Sequence, residues 1–231
     1  DLGILRLARS VAPSLKVHAS TQMTVASPDG VRLVAALGAQ RVILARELTI
    51  PEIARIRSVV DTELEVFVHG ALCVSYSGQC LSSEAWGGRS ANRGQCAQAC
   101  RLPYDLMVDG KRKNLGDRAY LLSPRDLEGW RRIPELTALG MAAFKIEGRM
   151  KSPEYVAAAT ALYREAVDRA WESLQRQPGD EPVPPRQSLG RLAADSRQVF
   201  SRGVSEGFLG GVNHQLLVDG ATRAHRGPGV G

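Results

Sequence analysis

All four cysteines of the 231-residue chain fall in one segment, Cys73, Cys80, Cys96 and Cys100, in the pattern Cys-x6-Cys-x15-Cys-x3-Cys. Gly70, Gly78, Gly87, Gly88 and Gly94 lie among and beside them, so the backbone there is free to fold tightly around something that four thiolates can hold. Two disulfides suit short secreted domains that cannot build a core, whereas this chain is long and 44% hydrophobic. No secretory signal peptide opens it. Structural zinc usually shows a short Cys-x2-4-Cys knuckle on each side, and here only Cys96 and Cys100 have that spacing. The spacing points to a metal or iron–sulfur site and leaves three readings open: iron–sulfur, zinc, and paired or free thiols.

Around this segment, short β-rich runs alternate with helical patterns. Residues 15–18, 41–45, 64–68 and 142–146 read as strands. Asp29 to Leu37 and Pro51 to Val60 have helical apolar spacing, the second opened by Thr49 as a cap with Pro51 in its first turn. These are β/α units, the pattern of a parallel sheet. Ser152-Pro153-Glu154 opens the longest helix, to about Glu172, and a polar, Pro-rich stretch follows.

The run from Glu65 through Gly70 and Cys73 to Gly78 and Cys80 resembles the signature of peptidase family U32, the collagenase-like peptidases. So do Gly87-Gly88-Arg89-Ser90-Ala91-Asn92-Arg93-Gly94-Gln95-Cys96, with Cys100 and Arg101 after it, and Lys145-Ile146-Glu147-Gly148-Arg149. Ser82 stands where the signature has an aliphatic residue, which leaves the cysteines intact. The stretch from Phe200 to Leu209 is also similar. Despite the family name, the resemblance implies an oxygen-independent hydroxylase with a [4Fe-4S] cluster on Cys73, Cys80, Cys96 and Cys100, acting on RNA, with prephenate as a linked co-substrate. His18-Ala19-Ser20-Thr21-Gln22 and Arg46-Glu47-Leu48 look most like the branch that modifies a cytidine of large-subunit ribosomal RNA, so ribosomal RNA is the expected partner ahead of transfer RNA.

The implied fold is a partial (β/α)8 TIM-type barrel that lacks its amino-terminal strands and carries a Cys-rich loop segment. The organisation expected is barrel over 1–173 with the cysteine cluster at 73–100, a polar Pro-rich linker over 174–190, and the start of a following domain or a tail over 191–231. In such a barrel the carboxyl ends of the strands face the active site. His18, Arg46, His69 and Glu147, with Lys145, stand at those ends, and the first four are the candidate catalytic residues. Each has an ordinary alternative: buried histidines bonded to backbone for His18 and His69, a solvated or salt-bridged side chain for Arg46, and for Glu147 and Arg149 a salt bridge tying the last strand to the long helix.

Thirty Lys and Arg against 24 Asp and Glu give +6, which fits an anionic partner such as RNA. Lys111-Arg112-Lys113 and Arg131-Arg132 are the basic clusters. No apolar run approaches the ~20 residues that span a bilayer, so a cytoplasmic, membrane-free protein is expected. Two other functions compete. A U32-type peptidase finds little support, because the sequence has no His-Glu-x-x-His pair and no Gly-x-Ser-x-Gly elbow. A structural-zinc RNA-binding module would keep the cysteines without needing convergent strand-end residues.

Overall fold

A computed structural model describes residues 1–149, 151–177, 187–211 and 213–221. Helix α1 (Leu2–Val11) is followed by two β/α units: strand β1 (His18–Ala19) and helix α2 (Pro28–Ala36), then β2 (Arg41–Ile43) and α3 (Ile50–Arg57). Both unit helices start where the sequence chemistry demands. The Ser27 side chain accepts from the Gly30 N–H, and Thr49 with Glu52 forms a reciprocal capping box with Pro51 in the first turn. Val31 and Val34 on α2 and Ile50, Ile53 and Ile56 on α3 are the buried residues, each set at helical spacing.

Strand β3 (Glu63–Gly70) is the spine of the sheet, buried at every residue after the first. That is the pattern of a strand covered on both faces. The Cys-rich segment follows it, with helix α4 (Ser82–Gly87) and a hairpin of β4 (Met107–Val108) and β5 (Lys111–Arg112). The hairpin turns at Asp109 and Gly110, whose φ angles of 49° and 73° suit a tight two-residue connection. The chain then re-enters the core through β6 (Asp126–Glu128), α5 (Ile133–Ala138), β7 (Ala143–Ile146), α6 (Pro153–Gln175), α7 (Leu189–Val199), β8 (Val204–Ser205) and α8 (His214–Leu217).

The fold is α/β. Strands β1, β2, β3 and β7 run parallel, with Val42 opposite Leu64 and Phe67 opposite Lys145. Strand β6 departs from the all-parallel expectation: it pairs antiparallel with only His69 and Gly70, and β8 pairs parallel to it. The register between β3 and β7 shifts between Phe67 and His69, and β6 joins the end of β3 just past that irregularity.

Helices α5 and α6 close the core beneath the sheet, with Ile133, Leu136, Ala159 and Leu162 fully buried. Removing a leucine or isoleucine side chain from water in this way contributes about 1.5–3 kcal/mol. Helix α7 packs along α6 and adds Leu192 and Ala193 to the same core, while β8 extends the same sheet. Residues 191–221, which the sequence sets apart as a following domain or tail, are thus in contact with the preceding elements where described. Most of the expected linker, residues 178–186, lies outside the described residues. Among the described residues no helix is long and apolar enough to cross a membrane.

Candidate active site

The carboxyl ends of β1, β2, β3 and β7 open on one cavity of about 340 Å³. Ser20 to Gln22 follow β1, Arg46 follows β2, Cys73 follows β3 and Glu147 follows β7, so each parallel strand delivers lining residues from its last turn. All four cysteines line this cavity, and none is in a disulfide.

Two glycines make the convergence possible. Gly70 ends β3 at φ +98°, where an added Cβ would stand 2.2 Å from the Glu147 carbonyl oxygen. Gly78, at φ +74°, closes the loop that carries Cys73, and a Cβ there would meet Thr24 Oγ1 at 2.6 Å. Any other residue would force the loops apart. Side chains then fasten the Cys73 loop to the end of β2. Glu47 Oε1 accepts from the Ser77 N–H at 2.8 Å and from its hydroxyl at 3.1 Å, and Thr24 Oγ1 donates to the Ser77 carbonyl at 2.8 Å. The Cys80 N–H donates to Asn92 Oδ1 at 3.0 Å, which ties the second cysteine to the Ala91–Arg93 turn.

The thiols differ in environment. Burial pushes Cys73 and Cys100 up, partly offset by a backbone N–H of Ser75 for the first and by the Arg101 charge for the second. At Cys80 burial also pushes upward, but hydrogen bonds from the Ser75 hydroxyl and the Ser82 and Ser83 N–H groups outweigh it, and the thiol ends below its ordinary value. Cys96 is exposed at the rim. Cys73, Cys80 and Cys100 are near enough to act on one another, and so are Cys96 and Cys100, but among the described residues no three His, Cys, Asp or Glu side chains gather closely enough to hold a single metal ion.

Arg46 and Glu147 both line the cavity and form an ion pair, Nη2 to Oε2 at 3.1 Å. The Arg46 guanidinium lies 3.8 Å from the Phe67 ring centroid. Burial lowers its pKa, against the raising effect of Glu147, Cys73 and Glu47. Its Nε is buried without a hydrogen-bond partner, as is Glu47 Oε2. Lys145 also lines the cavity, 3.9 Å from Glu65.

The two histidines do not join them. His69 is 5% exposed and lies off the cavity, beside Tyr163, whose hydroxyl is 3.3 Å from Nδ1. That hydroxyl donates to the Val68 carbonyl at 2.6 Å and accepts from the Gly129 N–H at 3.0 Å. Its remaining lone pair suits an Nδ1–H donor. Burial lowers the His69 pKa against the pull of Glu128 and Asp126. The strand-end position predicted from the sequence is correct, but β3 is buried on both faces there, so the side chain points to α6 rather than to the cavity. His18 is exposed and also outside the lining.

Sequence reasoning missed Arg101, Lys151 and Arg202, all on the lining. Arg101 follows Cys100 directly and donates to the carbonyls of Leu72 (2.6 Å) and Pro124 and to the Ser123 hydroxyl at 2.9 Å, tying the end of the cysteine segment to the sheet. Arg202, in the Ser201-Arg202-Gly203 turn, pairs with buried Asp126 at 2.9 Å. Adjacency to the last cysteine was a usable signal for Arg101; the partner of Arg202 is too distant in sequence to have given one.

The sequence model of Peptidase family U32 matches residues 1–219. A 23S rRNA 5-hydroxycytidine synthase of Escherichia coli is 39% identical over 90% of this chain and 31% of its own length. The tRNA hydroxylation protein P1 of Bacillus subtilis is 41% identical over 71% of this chain and 40% of its own. An uncharacterized protease of Methanocaldococcus jannaschii is 45% identical over 73% of this chain and 42% of its own. The chain thus spans less than half the length of these relatives, and no solved structure matches it. A family match over nearly the whole sequence, on a chain whose four cysteines, Arg46 and Glu147 surround one cavity, places this protein in peptidase family U32.

Proposed function

We propose that the protein is part of an iron–sulfur-dependent, oxygen-independent RNA hydroxylase, prephenate-linked, whose target is a cytidine of ribosomal RNA. The observation that carries this reading is that four unpaired cysteines line one cavity together with an Arg–Glu pair at the ends of parallel strands. Two relatives named for hydroxylation of ribosomal or transfer RNA support the substrate class. The parallel strands are read as part of a (β/α) barrel, whose carboxyl-end mouth is the usual place for chemistry.

The donor set suits a [4Fe-4S] cluster on Cys73, Cys80, Cys96 and Cys100. A cluster of several atoms spaces its thiolates more widely than one tetrahedral zinc ion, with its bonds of about 2.3 Å, would. Four thiols on one cavity, flanked by arginines that favour the thiolate form, supply the number and kind of ligands such a cluster needs. When bound, the cluster supplies electron transfer at the cavity. The chain's own residues do the rest. Arg46 is held by Glu147 and Phe67 so that its guanidinium stays at the cavity wall, where its charge can meet an anionic reactant, and the Ser20 to Gln22 turn supplies hydroxyl and amide groups at the mouth. A base would have to leave its stack to enter, which favours a single-stranded or unpaired target. His69, neutral and bonded to Tyr163, positions the end of β3.

The test is mass spectrometry of ribosomal and transfer RNA from cells lacking the gene, complemented with wild type or Cys96→Ser. The reading expects one nucleoside to lose an oxygen atom in the deletion and to regain it only with wild type. It is wrong if no nucleoside changes mass while the purified protein cleaves gelatin.

A further inference from the structure

Six cationic side chains line the cysteine cavity, against a single carboxylate, that of Glu147. Three of the six cluster at one end. Lys151 Nζ stands 2.9 Å from the centroid of the Phe200 ring and 5.5 Å from that of Tyr155, while the Arg202 guanidinium lies 4.8 Å from the same Phe200 centroid. Arg101 is close enough to both to repel them. Their neutralising partners are few. Arg202 has Asp126, Arg101 donates its guanidinium only to two carbonyls and a hydroxyl, and the Lys151 amine makes no hydrogen bond or ion pair among the described residues. Like charges gathered in a half-buried recess cost free energy unless an anion joins them.

We propose that Arg101, Lys151 and Arg202 form an oxyanion-binding subsite, for a carboxylate or phosphate group, in the wall of the cysteine cavity. Arg202 and Arg101 are fixed by their hydrogen bonds, so they supply preformed donors, and Lys151 is the adjustable point charge. Phe200, with Tyr155 packed against it edge-on, gives Lys151 and Arg202 an aromatic face to rest on. Burial, with the Arg202 and Arg101 charges, pushes Lys151 down to about 8, against the opposite pull of Asp126 and Glu147. A bound anion favours the protonated amine, so affinity is highest below about pH 8 and falls as pH rises through it, with proton uptake on binding near that pH.

This deepens the hydroxylase reading by assigning residues to an anionic reactant, and its test needs no turnover. Inorganic phosphate and malonate are titrated calorimetrically into the full-length protein, with and without its cluster, at pH 7 and 8 in two buffers of different ionisation enthalpy. Wild type binds both anions in either form and takes up protons at pH 8. Lys151→Met, with unchanged melting temperature, weakens binding by about tenfold and abolishes the uptake, and Lys151→Arg restores affinity without uptake. A short single-stranded RNA separates the two sources of the anion: exclusion of phosphate by RNA means a backbone phosphate occupies the subsite, and simultaneous binding means a free acid does. No anion binding by wild type, affinity within twofold in Lys151→Met, or binding lost whenever the cluster is present would each overturn the subsite. Anion binding by a protein that hydroxylates no RNA would instead overturn only the broader reading.

Discussion

The sheet with its helices and the cysteine segment are built on opposite plans. In the first, Val42, Leu64, Val68, Ile133, Leu136 and Leu162 are sealed from water, and the order comes from apolar burial and parallel pairing. In the second, from Leu81 to Gln98, Ser83 is the one buried residue; Trp86 is 56% exposed, and the hydrogen bonds that give shape are a handful such as Cys80 to Asn92 and Ala97 to Ser83. A segment with little core of its own gains its order from what it binds. Stability and ligand binding should therefore separate by region.

The strongest way to break that separation is in the core. Leu162→Ala should cost about 2–5 kcal/mol in urea unfolding while leaving the cysteines able to take up iron in the folded fraction. Tyr163→Phe is a sharper probe and should cost about 1–3 kcal/mol, because the Val68 carbonyl, the Gly129 N–H and His69 Nδ1 all lose a partner. If Tyr163→Phe were neutral, the structural role given to His69 would fail with it. At the small end, Cys96→Ser should change the unfolding free energy of metal-free protein by less than about 0.5 kcal/mol, since Cys96 is exposed and its contacts are few.

The same contrast decides what could be read in advance. The unit helices were legible because their signals are local: Thr49, Pro51 and Glu52 with Ile53 and Ile56, or Ser27 and Pro28 with Val31 and Val34. The cysteines were legible as a group, and so was the placement of Arg46 and Glu147 at neighbouring strand ends, because strand ends of parallel units share one face; their ion pair was not. His69 was misplaced for a reason no local pattern carries. Its environment is set by Tyr163 and Glu128, brought in by α6 and β6 from far along the chain. The antiparallel pairing of β6, three residues long between a turn and Gly129, and the docking of α7 on α6 are tertiary outcomes of the same sort.

Iron and acid-labile sulfide in protein purified without oxygen test the central claim most directly, that Cys73, Cys80, Cys96 and Cys100 act as one ligand set. The account predicts a brown wild-type protein with about four iron atoms per chain and loss of that iron in Cys96→Ser, with little change in the fold. A colourless protein carrying zinc, or two disulfides linking the four cysteines in an oxygen-free sample, would contradict it.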